Sequence, residues 1–273
     1  MLLLNQPNFD IFPGMTTEID IERRFSGVRR LYGEQGLAWL QNAHVLVIGI
    51  GGVGSWTVEA LARNAVGQLT LVDLDNIAES NINRQIHALD KNIGKAKVTA
   101  MHERIAQINP LCRVVEVEDF ITADNMAAIL QVRPDIVVDC MDDTKAKIAL
   151  AAWCKQQGLP LVIVGSAGGK LDATRIRLAD LAQVHGDRML AKIRNQLRRD
   201  HGFPKASDVK KSAKFGITAV YSDEPVEKPV EACDTDAGLT GLHCAGYGSS
   251  ICVTASFGFI AAQHALQQLL LPR

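Results

Sequence analysis

Glycine, acid and base recur in this chain at the spacing that a nucleoside phosphate requires. Gly49-Ile50-Gly51-Gly52-Val53-Gly54 carries the G-x-G-x-x-G pattern directly after the apolar run His44–Ile50. Gly49, Gly51, Gly52 and Gly54 let the backbone approach a phosphate, and a helix starting there offers free N–H groups at its positive end. The plainer alternative is a tight turn with no ligand. Asp73, 19 residues after Gly54, weighs against it. It ends the second apolar run, where an acid accepts hydrogen bonds from ribose hydroxyls. Asp75 follows, placed to orient a metal or to cap the loop.

The pattern by itself specifies a nucleotide, and a nicotinamide oxidoreductase is the default. Three further groups point instead to a nucleoside triphosphate. Arg84, in Ser80-Asn81-Ile82-Asn83-Arg84-Gln85, and Lys97, in Gly94-Lys95-Ala96-Lys97, can neutralise phosphates and the charge that develops at the α-phosphorus. Asp142 lies in Asp139-Cys140-Met141-Asp142-Asp143, at the end of a fourth apolar run. Carboxylates there reach the crevice of an open α/β sheet, and hard oxygen ligands suit Mg²⁺, so Asp142 is the expected metal ligand. Asp143 reads as the N-cap of a helix opening at Thr144. A solvated Lys97 and a surface-paired Arg84 are the ordinary alternatives for those two residues.

The elements that must position these groups alternate. Strands are expected at His44–Ile50, Gln68–Asp73, Arg113–Glu118, Ile136–Cys140 and Leu161–Val164. Helices are expected at Glu34–Gln41, Ser55–Asn64, Gly94–Ile108, Thr122–Leu130 and Thr144–Gln157. Such alternation predicts βαβ units, a doubly wound and mainly parallel sheet, and helices on both faces. After the Gly165–Gly169 turn it breaks. A possible strand at Arg175–Leu178 and a basic helix follow. Then comes a Gly/Pro/Asp-rich loop from about 200 to 248 and a closing helix over Ser249–Leu270.

Bulk composition excludes little. The 273 residues are 47% hydrophobic and 22% charged with net charge −1, as in an ordinary globular chain. Local charge says more, because residues 188–214 hold nine basic side chains against Asp200 and Asp208. Leu190, Ile193 and Leu197 recur at helical spacing, which predicts Arg194 and Arg198 on an exposed stripe. The alternative is a solvated helix face with a lysine-rich loop. None of the six cysteines forms a C-x-x-C pair, so a zinc ribbon is not expected. Residues 1–25 lack the apolar core of a secretory signal, which predicts a reducing, cytoplasmic setting with free thiols. The tail Ile251–Leu271 is apolar but holds three glutamines and a histidine. It reads as a core or dimer-interface helix, with peripheral membrane association as the alternative.

From Arg24 to about Gly169 the chain resembles the E1-like (ThiF/MoeB) activating family. The resemblance rests on the Gly-rich turn, Asp73-x-Asp75, the 80–85 stretch, Lys97, Asn109-Pro110 and the Asp-Cys-Met-Asp block. Arg24-Phe25-Ser26-Gly27, Asn83–Leu89, Gly165-x-Ala167-Gly168-Gly169 and Thr254–Phe259 are similar to its tRNA threonylcarbamoyladenosine dehydratase branch. That branch implies ATP and Mg²⁺ as cofactors and activation of a carboxylate at the α-phosphate. The substrate it implies is tRNA carrying N6-threonylcarbamoyladenosine at position 37 (t6A37). By position, Asp73 is the ribose ligand, Asn81, Arg84 and Lys97 phosphate ligands, and Asp142 the magnesium-side carboxylate, with Asp75 counted among the cofactor-binding residues. Arg194, Arg198, Arg199, Lys210 and Lys211 become the expected tRNA contacts. The resemblance further implies a homodimer, with Arg30 as the substitute for an arginine that reaches the partner's ATP. A cysteine desulfurase and its sulfur acceptor are implied partners. Residues 1–33 are then an N-terminal arm, 34–170 the Rossmann-like ATP-binding core, and 171–273 a tRNA-facing segment, loop and closing helix. Adenylation of a sulfur-carrier protein C-terminus is the second reading. Missing zinc pairs and the basic helix weigh against it.

Overall fold

The computed structural model describes residues 19–205, 213–227 and 247–271. Seven strands form one sheet in the order β3-β2-β1-β4-β5-β7-β6. They are β1 (His44–Ile48), β2 (Gln68–Val72), β3 (Arg113–Val117), β4 (Ile136–Asp139), β5 (Leu161–Val164), β6 (Ile176–Asp180) and β7 (Thr218–Ser222). All pairings are parallel except β6 with β7. Side chains on β1 alternate between faces, as the pleat requires. Val45 and Val47 enter one core cluster, Leu46 and Ile48 the other. Both faces are therefore buried, and β1 reads as a continuous apolar run.

The first face is covered by α2 (Gly54–Arg63), α3 (Lys97–Ile108) and α7 (Ile251–Leu269), the second by α4 (Met126–Leu130), α5 (Thr144–Gln157) and α6 (Arg188–Asp200). This is the doubly wound, mainly parallel α/β fold expected. α1 (Ile21–Asn42) is longer than the helix read at Glu34–Gln41. Asp20 caps its start, its side chain accepting from the Arg23 N–H, and Gly33 at φ 75° kinks it. The kink hides the first half from a search for one straight amphipathic stripe.

One further expectation is corrected, and that for the tail holds. The segment from about 200 to 248, read as loop, contributes β7, whose five residues sit among turn-forming neighbours and carry no long apolar run. The sheet therefore continues past residue 170 through β7 and β6. The tail is a core helix: α7 buries Val253, Phe257, Ala261, Ala265 and Leu269. No helix among the described residues is long and apolar enough to cross a membrane.

Candidate nucleotide-binding crevice

Strand order reverses between β1 and β4, and a crevice opens there at the carboxyl ends of the strands. Register brings its parts together. Ile48 pairs with Val72 on one side and with Asp139 on the other. Gly49 N–H then donates to the Val72 carbonyl at 2.9 Å, and Cys140 N–H to that of Ile48 at 2.8 Å. Gly49 adopts φ 84°, and a Cβ there would meet the Cys140 carbonyl carbon at 2.9 Å. A Cβ on Gly54, the first residue of α2, would lie 1.8 Å from the Gly49 carbonyl oxygen. The turn closes only with glycine at both places.

Asp73 joins this turn to the next loop. Its Oδ2 accepts from the Ile50 N–H at 2.6 Å and its Oδ1 from the Asp75 N–H at 2.9 Å. Lys97 opens α3 and is only 5% exposed. Its Nζ donates to Asp75 Oδ2 at 2.7 Å and stands 3.8 Å from Asp73 Oδ1. Burial raises the pKa of Asp73, and the Lys97 charge opposes that rise. An acid, a second acid and a base thus occupy one corner.

Arg84 lies over the Gly-rich turn, its Cγ and Cδ 3.3 Å from where a Gly52 Cβ would stand. Its Nη1 donates to the Ser80 carbonyl at 2.7 Å and to Asn83 Oδ1 at 3.0 Å. Trp56 Nε1 donates to the Arg84 carbonyl at 2.9 Å, which ties this loop to α2. Asn81 serves the loop itself: its Oδ1 accepts from the Ala78 N–H, and its carbonyl from the Arg84 and Gln85 N–H groups. A groove of about 600 Å³ opens beside Arg84, lined also by Ser80, Asn83, Tyr247 and Ser249.

Across the switch point, Asp142 is exposed. Asp143 caps α5, accepting from the N–H groups of Lys145 and Ala146, as expected. The sequence reading missed Lys147. Its Nζ pairs with Asp139 Oδ1 at 2.9 Å, both side chains at 0% exposure, and donates to the Val164 carbonyl at 2.9 Å. Lys147 falls in the apolar stripe of α5 beside Ile148 and Ala151, and that position was the one available signal. His87, quoted only as part of a stretch, is also buried. Burial first, then the Lys97 and Arg104 charges, push its pKa down to about 3. Neither ring nitrogen has a hydrogen-bond partner among the described residues.

The expected tRNA contacts divide. Arg194 and Arg198 are half-buried on α6, not on an exposed stripe. Arg194 donates to the Val184 carbonyl, and Arg198 donates to that of Pro204 at 3.1 Å and lies 5.4 Å over the Phe215 ring. Their stems complete the apolar face that Leu190, Ile193 and Leu197 begin, which a strict polar and apolar division cannot represent. Arg199 is exposed and pairs with Asp200. Lys210 and Lys211 lie outside the described residues, as do Cys233 and Cys244. Burial holds the thiols of Cys112, Cys140 and Cys154 up at about 12, so they are not nucleophiles.

Comparison with known proteins agrees with this geometry. The tRNA threonylcarbamoyladenosine dehydratase of Escherichia coli is 45% identical over 255 residues, covering 91% of this chain and 94% of that one. The crystal structure of the E. coli enzyme in complex with ATP matches with a TM-score of 0.81 at 44% identity, over 91% of this chain and 94% of that chain. Its complex with AMP scores 0.82 at 42% identity, over 94% and 98%. The molybdopterin-synthase adenylyltransferase of Salmonella typhimurium is 33% identical over 135 residues, 50% of this chain and 54% of its own. The ThiF family pattern matches residues 25–271, from the first helix through the crevice to α7, and the chain belongs to the ThiF family.

Proposed function

We infer that this protein is an ATP-dependent tRNA threonylcarbamoyladenosine dehydratase, which closes the threonylcarbamoyl group of t6A37 into a ring. The observation that carries the reading is the corner of Asp73, Asp75 and Lys97 beside the Gly-rich turn, within a match of 45% identity over nearly the whole chain. The alternative substrate, a sulfur-carrier protein C-terminus, has the support of relatives matched over about half of this chain.

Each group then has a task. The glycine turn and the start of α2 take phosphate oxygens on backbone N–H groups. Asp73 and Asp75 accept from the ribose hydroxyls. Asn81, Arg84 and Lys97 face the triphosphate, and the two cations offset charge as it builds on the departing pyrophosphate. A carboxylate oxygen of the substrate attacks the α-phosphorus, and the bond to pyrophosphate breaks. The carbamoyl group then attacks the acyl carbon and AMP leaves, so one water is removed in total. Mg²⁺ ordinarily binds through one or two carboxylates plus phosphates, and the exposed Asp142 meets that need. No cluster of three metal-ligating side chains occurs among the described residues, in keeping with an ion held partly by the nucleotide. Arg199, with Lys210 and Lys211, supplies the RNA contact. A homodimer joined near the exposed Ile251 and Phe259 of α7 belongs to the same reading.

The test incubates the protein with ATP, Mg²⁺ and t6A-containing tRNA. Loss of one water from the modified nucleoside, with AMP and pyrophosphate released, is the expected result. An unchanged nucleoside would overturn the substrate, and ADP with phosphate would overturn the adenylate step. Pyrophosphate exchange stimulated by a carrier protein and not by tRNA would favour the alternative.

A further inference from the structure

At the far ends of α2 and α3 from the crevice, Arg24, Arg63 and Arg104 line an open cavity of about 410 Å³. Arg104 is seven residues past Lys97 and Arg63 nine past Gly54. Helix rise therefore sets Arg63 roughly 14 Å from the glycine turn and Arg104 roughly 10 Å from Lys97. Glu59 lies beneath it, its side chain 4% exposed. It accepts from Arg63 Nε at 2.7 Å and from Arg104 Nε at 2.6 Å and Nη2 at 3.0 Å. Arg24 is fixed separately, Nη1 donating to the Gln107 and Ile108 carbonyls at 2.8 and 2.9 Å.

Two guanidiniums share one carboxylate, and a third lines the same cavity. Arg104 ties α3 to α2 and Arg24 ties α1 to α3, whereas Arg63 pairs within α2, and these tasks are complete without the remaining nitrogens. Both terminal nitrogens of Arg63, Nη2 of Arg24 and Nη1 of Arg104 make no hydrogen bond within the described residues. A guanidinium has five N–H donors in a fixed fork that matches phosphate oxygens, and here two forks are oriented by the buried Glu59 and a third by two backbone carbonyls around one space. We propose that this cavity is a second anion site, distinct from the nucleotide crevice, which takes a phosphate group. The phosphate belongs either to the backbone of bound RNA or to a free polyphosphate.

Calorimetric titration with inorganic pyrophosphate, the crevice being filled by a saturating non-hydrolysable ATP analogue, tests the site. Saturable binding is expected. Arg63→Gln and Arg24→Gln should each weaken it at least about tenfold, since a charge-assisted contact is lost. Arg177→Gln, which removes an exposed charge on β6, should leave it unchanged. Absence of saturable binding by the wild-type protein would overturn the proposal. So would undiminished binding by Arg63→Gln, or equal weakening by Arg177→Gln. Arg63 is 59% exposed, so its variant should keep the melting temperature of the parent. The tRNA affinity of that variant as a function of salt separates the sources. A slope reduced by about one identifies an RNA phosphate, and an unchanged slope identifies a free anion.

Discussion

Two aspartate–lysine pairs flank β1, one at the end of each neighbouring strand, and they differ in what surrounds them. Lys97 beside β2 serves two carboxylates, of which Asp75 keeps 32% of its side chain exposed. Lys147 beside β4 serves Asp139 alone and is sealed from solvent. The same chemistry thus yields one corner that can trade partners with a ligand and one that can only hold the chain. Exposure, not residue type, separates the corner open to a ligand from the sealed one. A lysine released from Asp75 by a phosphate stays paired, whereas one released from Asp139 would strand a buried charge.

The comparison breaks most visibly at the sealed pair. Lys147→Met should destabilise the fold by about 3 to 5 kcal/mol, because Asp139 is left buried without its counter-charge. Asp139→Asn combined with Lys147→Met should restore much of the loss. Denaturant titration of Lys147→Met, Asp139→Asn and the double variant measures both effects, and additive losses would defeat the pairing argument. The open pair should respond in rate. Lys97→Ala and Asp142→Ala should each lower turnover at least about tenfold, an effect of over 1 kcal/mol on the barrier. Full activity in either would refute its assigned role.

His87, beside Lys97, sharpens the contrast through pH. Its pKa in the fold is about 3 and lies below the ordinary 6.5, so its contribution to stability is present above about 6.5 and is lost as pH falls. Between pH 6.5 and 5 the cost approaches about 2 kcal/mol, and His87→Phe should flatten that slope. An unchanged slope would assign the acid sensitivity elsewhere. The smallest effects belong to α6. Arg198→Ala should cost about 1 kcal/mol through lost packing on Phe215 and a lost carbonyl bond. Arg199→Ala should leave the denaturation midpoint unmoved and reduce the salt dependence of tRNA binding by about one charge. Equal behaviour of the two variants would erase the distinction between inner and outer arginines.

The crevice was legible because its chemistry is local in sequence. Asp73, Asp75, Arg84 and Lys97 lie within one βα unit, at spacings set by strand and helix lengths. β1 to β5 were legible for the same reason, as apolar runs bounded by turn residues. β7 was not, since its strand character comes from pairing with β5 and β6 and not from its own composition. The Asp139–Lys147 pair joins a strand end to the second turn of a helix, and no pattern distinguishes a buried lysine on an apolar stripe from a misplaced one. Arg194 and Arg198 misled because each is charged at its tip and apolar along its stem. The register of sequence records the tip alone.

The close seating of α7 against α2 has a consequence for mutation. A Cβ on Gly258 would stand 2.5 Å from the Val53 carbonyl oxygen, and Thr57 donates its hydroxyl to the Gly258 carbonyl at 3.2 Å, across a separation of 201 residues. The glycine turn and the helix that follows it are therefore braced by a helix remote from them in sequence. A side chain added at Gly258 would press on the end of that turn without touching any of its glycines, so damage to the crevice can begin far from it along the chain.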